Sequence, residues 1–230
     1  MEDQRGSACV SAGHVVFFDD GVTEQLKDDV VNSMLYSQLA ASARCSRFDD
    51  VQAWGVKFKE VMTLFGWLAL QERTQRYTHG ERATLGLDDL LEQMLDPNVS
   101  SPCVNRLKKM CANLKTHRTY SASQQLLLDH ALDCRAGAGD TTLTLLISFV
   151  SSASQVTTVL FSSTTPMADE EPAIAAHLAT QRSVGSLSVT VLSMELSDRQ
   201  YRRVRARVGA ELGASRDALV MAMIEGPPDE

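Results

Sequence analysis

The chain has 230 residues, enough for one large domain or two small ones with a substantial core. Its charged fraction of 22% and hydrophobic fraction of 44% are ordinary for a folded protein, and its net charge of −7 argues against binding to nucleic acid. The N-terminus shows no signal-peptide pattern, and the five scattered cysteines include no CxxC pair. We therefore expect a cytoplasmic protein with reduced thiols, while secretion by a route that needs no signal peptide stays open.

Helical patterns dominate about residues 23–135, after a short predicted strand at His14–Gly21. One helix begins at the N-cap Thr23, and a second begins at the N-cap Asp50 with apolar residues that keep helical spacing as far as Leu68. Three further helices are predicted from "TLGLDDLLEQMLDP", "SPCVNRLKKMCANLK" and "SASQQLLLDHALDC", the last opening with a capping box at Ser121 and Gln124.

The spacing of apolar residues changes to two in the sheet half, about residues 141–225. The segments "TTLTLLISFV", "QVTTVLF" and "SLSVTVLSMEL" predict three strands of an antiparallel meander, and "ALVMAMIE" predicts a fourth strand. Before that last segment, Ser197 and Gln200 have the spacing of a capping box. They predict an amphipathic helix that ends at Gly213.

Together these patterns predict a single α+β domain over residues 1–230. An N-terminal helical layer packs on a 3–4-stranded antiparallel meander, and a C-terminal amphipathic helix follows. Residues 1–13 and 226–230 are expected to be loosely held because neither segment has a pattern of buried residues.

The segment from Thr141 to Ala168 carries no charge, which raises the question of a membrane role. Thirteen of the 25 residues in 141–165 are Ser or Thr, so a membrane-spanning helix is not expected. The two alternating strands in 141–163 also have the length of a membrane-inserting hairpin. We favour a sheet covered on one side by helices, with the inserting hairpin as the alternative.

Five arginines give the predicted C-terminal helix a basic face: Arg199, Arg202, Arg203, Arg205 and Arg207. Guanidinium groups bind phosphate and carboxylate through paired hydrogen bonds. We therefore predict a contact surface for a protein or an anionic ligand. A solvated face that pairs with the acidic loop at 169–171 is the simpler interpretation.

His130 and Cys134 are four residues apart in "DHALDC", on one face of a predicted helix. That spacing suits a thiolate–imidazole pair or two metal ligands. The rest of the sequence has no HxxxH or HExxH pattern to complete a metal site, and no phosphate-binding or nucleotide-binding motif. We therefore predict no metal and no cofactor.

Two segments resemble a little-studied, mainly bacterial family of α+β proteins. The first, "DDVVNSMLYSQLAASARCSRFDDVQAWGVKFKEVMTLFGWLAL", is similar to the N-terminal signature of the family, with Ser42 and Arg44 in place of its usual lysines. The second is the hairpin, third strand and helix "LSDRQYRRVRARVGAEL". The resemblance implies the α+β fold and no particular activity. A more distant likeness, in the helices that flank a Ser/Thr-rich sheet, is to membrane-active virulence and cytolytic proteins.

These observations lead to three functional hypotheses. The first is a non-enzymatic binding or accessory protein that uses the arginine-rich face. The second is a membrane-active toxin or virulence factor that uses the 141–163 hairpin. The third is an enzyme of an unrecognised type that uses His130 and Cys134.

Overall fold

A computed structural model describes residues 7–77, 99–116, 120–134, 140–166 and 187–223. In these residues the fold is α+β, with eight strands in one sheet and seven helices. The strands are β1 Ala8–Ser11, β2 His14–Phe18, β3 Trp67–Tyr77, β4 Leu132–Cys134, β5 Asp140–Val150, β6 Gln155–Pro166, β7 Leu187–Leu196 and β8 Val220–Ala222. The helices are α1 Glu24–Ser42, α2 Val51–Leu64, α3 Ser101–Thr116, α4 Ala122–Ala131, α5 Asp198–Tyr201, α6 Arg205–Leu212 and α7 Ala214–Leu219. The predicted helix before Pro97, the acidic loop 169–171 and the tail 226–230 lie outside the described residues.

The sheet has the order β3-β7-β6-β5-β2-β1-β8, and β4 pairs with β5 on the same side as β2. All described pairs are antiparallel except β2–β5, which is parallel. The predicted meander is confirmed as β5-β6-β7, and the predicted last strand is β8. The predicted number of 3–4 strands is too small because β1, β2, β3 and β4 also join the sheet. Residues 8–11 form β1, although we expected residues 1–13 to be loose.

The second predicted helix is shorter than expected, because the segment after it is a strand. Helix α2 ends at Leu64, and Gly66 takes a φ of +88° that redirects the chain. Strand β3 then runs antiparallel to β7 from Trp67 to Tyr77. Leu68 therefore belongs to a strand, and its helical spacing from α2 was misleading.

Helices cover both faces of the sheet. On one face, α3 and α4 bury apolar residues against alternate strand positions such as Phe17, Ile147 and Val189; we call it the α3/α4 face. On the other, α1, α2, α5 and α6 pack against Phe18 and Met194; we call it the α1/α2 face. A single N-terminal helical layer is therefore not confirmed, since α3 and α4 lie opposite α1 and α2.

Strand β5, which contains the first part of the charge-free segment, is buried on both sides of the sheet. Leu143, Leu145, Ile147 and Phe149 pack on the α3/α4 face, while Leu146 packs on the α1/α2 face, where Thr144 and Ser148 are fully buried. The expectation of a sheet covered on one side only is wrong here, because α1 closes the polar side as well. Among the described residues, no helix is both long enough and apolar enough to cross a bilayer.

The C-terminal helical region is broken into three short helices. Residues 202–204 form a turn between α5 and α6, and Ser197 makes no side-chain cap, so the predicted capping box is absent. Gly213, at φ +45°, ends α6 as predicted. Tyr201, Val208 and Leu212 are buried against α1 and the sheet, so the region is amphipathic as predicted despite the break.

Candidate functional site

A groove of about 330 Å³ lies on the α1/α2 face, between α2 and the strands β3, β7 and β6. Its wall is one side of α2, including Val51 and Val56. Its floor is the outer part of the sheet, with Leu160 on β6 and Leu192 on β7. The groove is therefore concave and largely apolar, which is the usual form of a small-molecule site.

The width of the groove depends on how closely α2 approaches β6. A Cβ atom on Gly55 would lie 3.1 Å from Leu160 Cδ2, so the two elements are already in contact there. Farther out the groove floor is polar, because the Thr74 and Thr190 hydroxyls form a 3.0 Å hydrogen bond between β3 and β7. An apolar end and a polar end thus lie within one groove.

The outer rim carries two cations and one carboxylate. Lys59 on α2 forms an ion pair with Glu72 on β3, joining the two sides of the groove. Arg76 lies two residues beyond Thr74 on the same side of β3 and is exposed. Arg76 makes no ion pair or hydrogen bond in the part of the chain that the structure describes. The rim is therefore suited to one anionic group.

A chain of buried hydrogen bonds begins at the groove floor. Thr158, which lines the groove, lies 2.7 Å from the Ser148 hydroxyl, and Ser148 lies 2.8 Å from His14 Nε2. Burial, and to a smaller degree the nearby charge of Arg47, lowers the pKa of His14 to about 3. His14 is thus neutral at physiological pH. Because His14 and Ser148 are fully buried, they can support Thr158 but cannot touch a ligand.

Arg47 is a buried cation beside that chain. Its guanidinium donates to the Thr144 carbonyl at 3.0 Å and lies over the Trp54 ring at 4.9 Å. Burial lowers its pKa to about 10, so it keeps its charge at neutral pH. Arg47 therefore ties the segment between α1 and α2 to β5 and holds the wall of the groove in place.

The predicted arginine face is partly engaged in ion pairs within the chain. Arg202 pairs with Asp198, and Arg207 pairs with Glu211. Arg199 and Arg203 are exposed and make no ion pair within the described residues. The prediction of a contact surface is untested, and Arg199, Arg202, Arg203 and Arg207 are the members that remain accessible to a partner.

Arg205, in contrast to the other four arginines, is paired with a nearly buried carboxylate and stabilises the fold. Its Nε and Nη2 atoms donate to the two carboxylate oxygens of Asp29 at 2.8 and 2.5 Å, and the Asp29 side chain is only 5% exposed. The hydrogen bonds to Asp29 and Asp198 raise the pKa of Arg205. This pair fastens α6 to α1, so Arg205 is a poor choice for testing surface contacts.

His130 and Cys134 lie on different elements. Helix α4 ends at Ala131, and Cys134 is the exposed last residue of β4. The expected i, i+4 helical geometry is therefore absent, and their joint role stays a prediction. Burial, and then the charge of Arg47, lowers the pKa of His130. Within the described residues no group of three metal-ligating side chains occurs.

Comparison with known proteins gives structural likeness only. No family model matches the chain, and no curated protein matches its sequence. Solved structures that are similar include activated Cyt2Ba from Bacillus thuringiensis subsp. israelensis, with 11% identity, a TM-score of 0.46, and 80% of this chain and 97% of that chain covered. The Evf virulence factor has 8% identity, a TM-score of 0.41 and coverage of 99% and 88%. A delta-endotoxin has 12% identity, a TM-score of 0.39 and coverage of 81% and 84%. The structural similarity is distant, and the bacterial family resemblance stays a prediction.

The groove residues were not identified from the sequence. Val56, Lys59 and Thr74 stand in ordinary helical or strand patterns, and no spacing links α2 to β3 or β7. Gly55 was the one local signal, because a glycine inside an amphipathic helix often marks a close approach.

Proposed function

We propose that the protein binds a small amphipathic anion in the groove between α2 and the sheet. The observation that carries this proposal is the groove itself, an open concavity of about 330 Å³ with an apolar inner end, a polar outer end and a charged rim. Pockets of this size are at the lower end of the range for small-molecule sites. The ligand is therefore expected to be compact.

The lining determines the chemical class. Val56, Leu160 and Leu192 favour an apolar body, because enclosing it removes apolar surface from water. Thr74 and Thr190 offer hydroxyls to a polar group next to that body. Arg76, with Lys59 beside it, favours an anionic group at the rim, where guanidinium forms charge-assisted hydrogen bonds.

The test uses two fluorescent probes, the anion 1-anilinonaphthalene-8-sulfonate and the uncharged N-phenyl-1-naphthylamine. Both are titrated into wild type, Val56→Trp and Lys57→Trp. Val56 lines the groove and is 49% exposed, so tryptophan there fills the groove without entering the core. Lys57 is the neighbouring residue and lies outside the groove lining. We expect saturable binding that Val56→Trp weakens at least about tenfold, that Lys57→Trp leaves unchanged, and that is tighter for the anion.

The proposal is wrong if neither probe binds the folded protein, or if Val56→Trp and Lys57→Trp bind as wild type does. Equal affinity for both probes would contradict the anionic class and leave an apolar ligand. Near-ultraviolet circular dichroism of each variant checks that the tertiary packing is intact.

A second candidate is membrane activity of the β5–β6 hairpin. The observation in its favour is the polar layer under α1, where the buried atoms Ser11 Oγ, His14 Nδ1, Gln38 Oε1 and Arg47 Nε have no hydrogen-bond partner among the described residues. Unpaired buried polar atoms cost free energy, which lowers the cost of separating α1 and α2 from the sheet. Release of a trapped dye from anionic and zwitterionic vesicles tests this candidate. No release with either composition, at neutral and at acidic pH, contradicts it.

A further inference from the structure

We propose that the anionic head of the ligand binds at the hydroxyl groups of Thr74 and Thr190, and that Glu72 limits this head to a single negative charge. The inference rests on the proposed function, since it assigns the position and the charge of the head within the same groove. Thr74 on β3 lies directly opposite Thr190 on β7, and Leu160 on β6 lies directly opposite Thr190 on its other side. The two hydroxyls are therefore next to the apolar floor that would enclose the body of the ligand.

The two threonine hydroxyls leave one proton for a ligand. The oxygen atoms of Thr74 and Thr190 are 3.0 Å apart, so one hydroxyl donates to the other. A hydroxyl carries a single proton, and the proton of the accepting hydroxyl is then free to bind an oxygen of an anion. Hydrogen bonds to a charged group are shorter and stronger than those between neutral groups. The hydroxyls therefore favour an anionic head over a neutral one.

Three charged side chains surround this position. Glu72 and Arg76 are each two residues from Thr74 on β3 and line the groove with it. At about 3.3 Å per residue, each lies about 7 Å from Thr74 along the strand. Lys59 on α2 forms an ion pair with Glu72. The Debye length is about 8 Å at physiological ionic strength, so all three charges act on a head at the hydroxyls.

The described residues that line the groove carry a net charge of one positive unit near the hydroxyls, from two cations and one carboxylate. A monoanionic head neutralises this charge. The second charge of a dianion would find no cation to pair with, because Glu72 already pairs with Lys59. An unpaired charge that loses part of its water is costly, and specific sites use such unpaired charges against the wrong ligand. Glu72 is therefore the residue that sets the charge of the ligand.

This charge limit narrows the class of ligand. Carboxylates and sulfate esters carry one negative charge at neutral pH. Phosphate monoesters have a second pKa of about 6 and are largely dianionic there. The groove should therefore take a compact apolar body that ends in a carboxylate or a sulfate ester, in preference to the same body with a phosphate monoester.

The test is calorimetric titration of the full chain with 1-naphthyl sulfate and 1-naphthyl phosphate at about pH 8. These probes share an apolar body and a tetrahedral head, and they differ by one charge. We expect wild type to bind the sulfate more tightly. Glu72→Gln, which keeps the shape of the side chain, should tighten the sulfate at least about threefold and the phosphate at least about ninefold, because the repulsion acts once on each ligand charge. The uncharged N-phenyl-1-naphthylamine should bind as before.

Two further variants change the charge near the hydroxyls in known steps. Lys59→Met removes one positive charge and should weaken the sulfate at least about threefold. The double variant Lys59→Met/Glu72→Gln leaves Arg76 alone and restores one net positive charge, so the preference for the sulfate should return. The position of the head is tested by Thr74→Val/Thr190→Val. It should weaken both esters at least about tenfold and leave N-phenyl-1-naphthylamine unchanged.

Glu24→Gln is the matched control for the loss of a carboxylate. Glu24 pairs with Lys27 on α1, and neither residue lines the groove. Lys27 lies over the ring of Phe18 on β2, and four strand spacings, about 19 Å, separate β2 from β3. This distance is more than twice the Debye length. The affinities of all three probes should therefore be those of wild type.

The inference is overturned if wild type binds the phosphate as tightly as the sulfate, or if Glu72→Gln leaves the ratio of the two affinities unchanged. It is also overturned if the double threonine variant binds both esters as wild type does. In each of these cases, binding of N-phenyl-1-naphthylamine that Val56→Trp weakens still supports the groove as the site. If no probe binds wild type, the proposed function and this inference fail together.

Discussion

His14 is a fully buried histidine that the fold keeps uncharged. Its pKa is lowered from 6.5 to about 3, so the unfolded chain takes up the proton at a higher pH than the folded chain does. The free energy of unfolding should therefore fall as the pH drops from about 6.5 toward 3, by at most about 5 kcal/mol. Urea unfolding at several pH values in this range measures the decline.

The matched variant for this prediction is His14→Gln, whose side-chain amide can still donate to the Ser148 hydroxyl. All other titratable groups are common to both proteins. The difference between the two pH profiles therefore isolates His14. Parallel profiles for wild type and His14→Gln would show that His14 is not held neutral by the fold.

Arg205 was predicted to lie on a contact surface, whereas the structure pairs it with Asp29 inside the fold. Replacing it with methionine leaves the nearly buried Asp29 carboxylate without its main partner. We expect Arg205→Met to lower the free energy of unfolding by about 2–3 kcal/mol, because an uncompensated buried charge is costly. Arg203→Met, on the exposed part of the same region, should change it by less than about 0.5 kcal/mol. Equal urea midpoints for the two variants would contradict the structural assignment of Arg205.

Gly66 governs the transition from α2 to β3. Its φ is +88°, and an added Cβ would lie 2.5 Å from Gln200 Cβ, against α5. Gly66→Ala should therefore destabilise the protein by about 2 kcal/mol or more. Gly209 lies inside α6 with nothing within 4 Å of an added Cβ, so Gly209→Ala should raise the stability by about 0.5–1 kcal/mol. Thermal unfolding of both variants checks this, and shifts of the same sign would contradict it.

Local signals were good predictors of individual elements. Thr23 accepts from the Leu26 amide, Asp50 accepts from the Ala53 amide, and Ser121 forms its capping box, all as the sequence predicts. The alternation in β5, β6 and β7 likewise marked the meander. These features depend on residues close together in the chain.

Elements defined by distant pairing could not be predicted in the same way. Strand β3 has no alternation, because residues 68–76 are exposed on both faces, and its pairing with the distant strand β7 is what identifies it as a strand. The burial of Ser148 and Thr144 was also missed. Their hydroxyls look solvent-directed in the sequence, yet α1 and the segment containing Arg47 cover them.

At the scale of the whole molecule, helices pack on both faces of the sheet, and one face retains an open groove. Helices pack apolar residues on both faces, and on the α1/α2 face the groove stays open beside α2. The groove draws its lining from α2, β3, β5, β6 and β7, which span residues 51 to 192. No single segment of the sequence could therefore reveal it.

The most direct test of the proposed function is a map of backbone amide shifts in ¹⁵N-labelled protein during titration with 1-anilinonaphthalene-8-sulfonate. The groove predicts the largest shifts at Gln52, Val56 and Lys59 on α2 and at Thr74 and Thr190 on the strands. Shifts concentrated at the accessible arginines of α5, α6 and their connecting turn, with α2 and β7 unmoved, would contradict it and return the contact surface to that region.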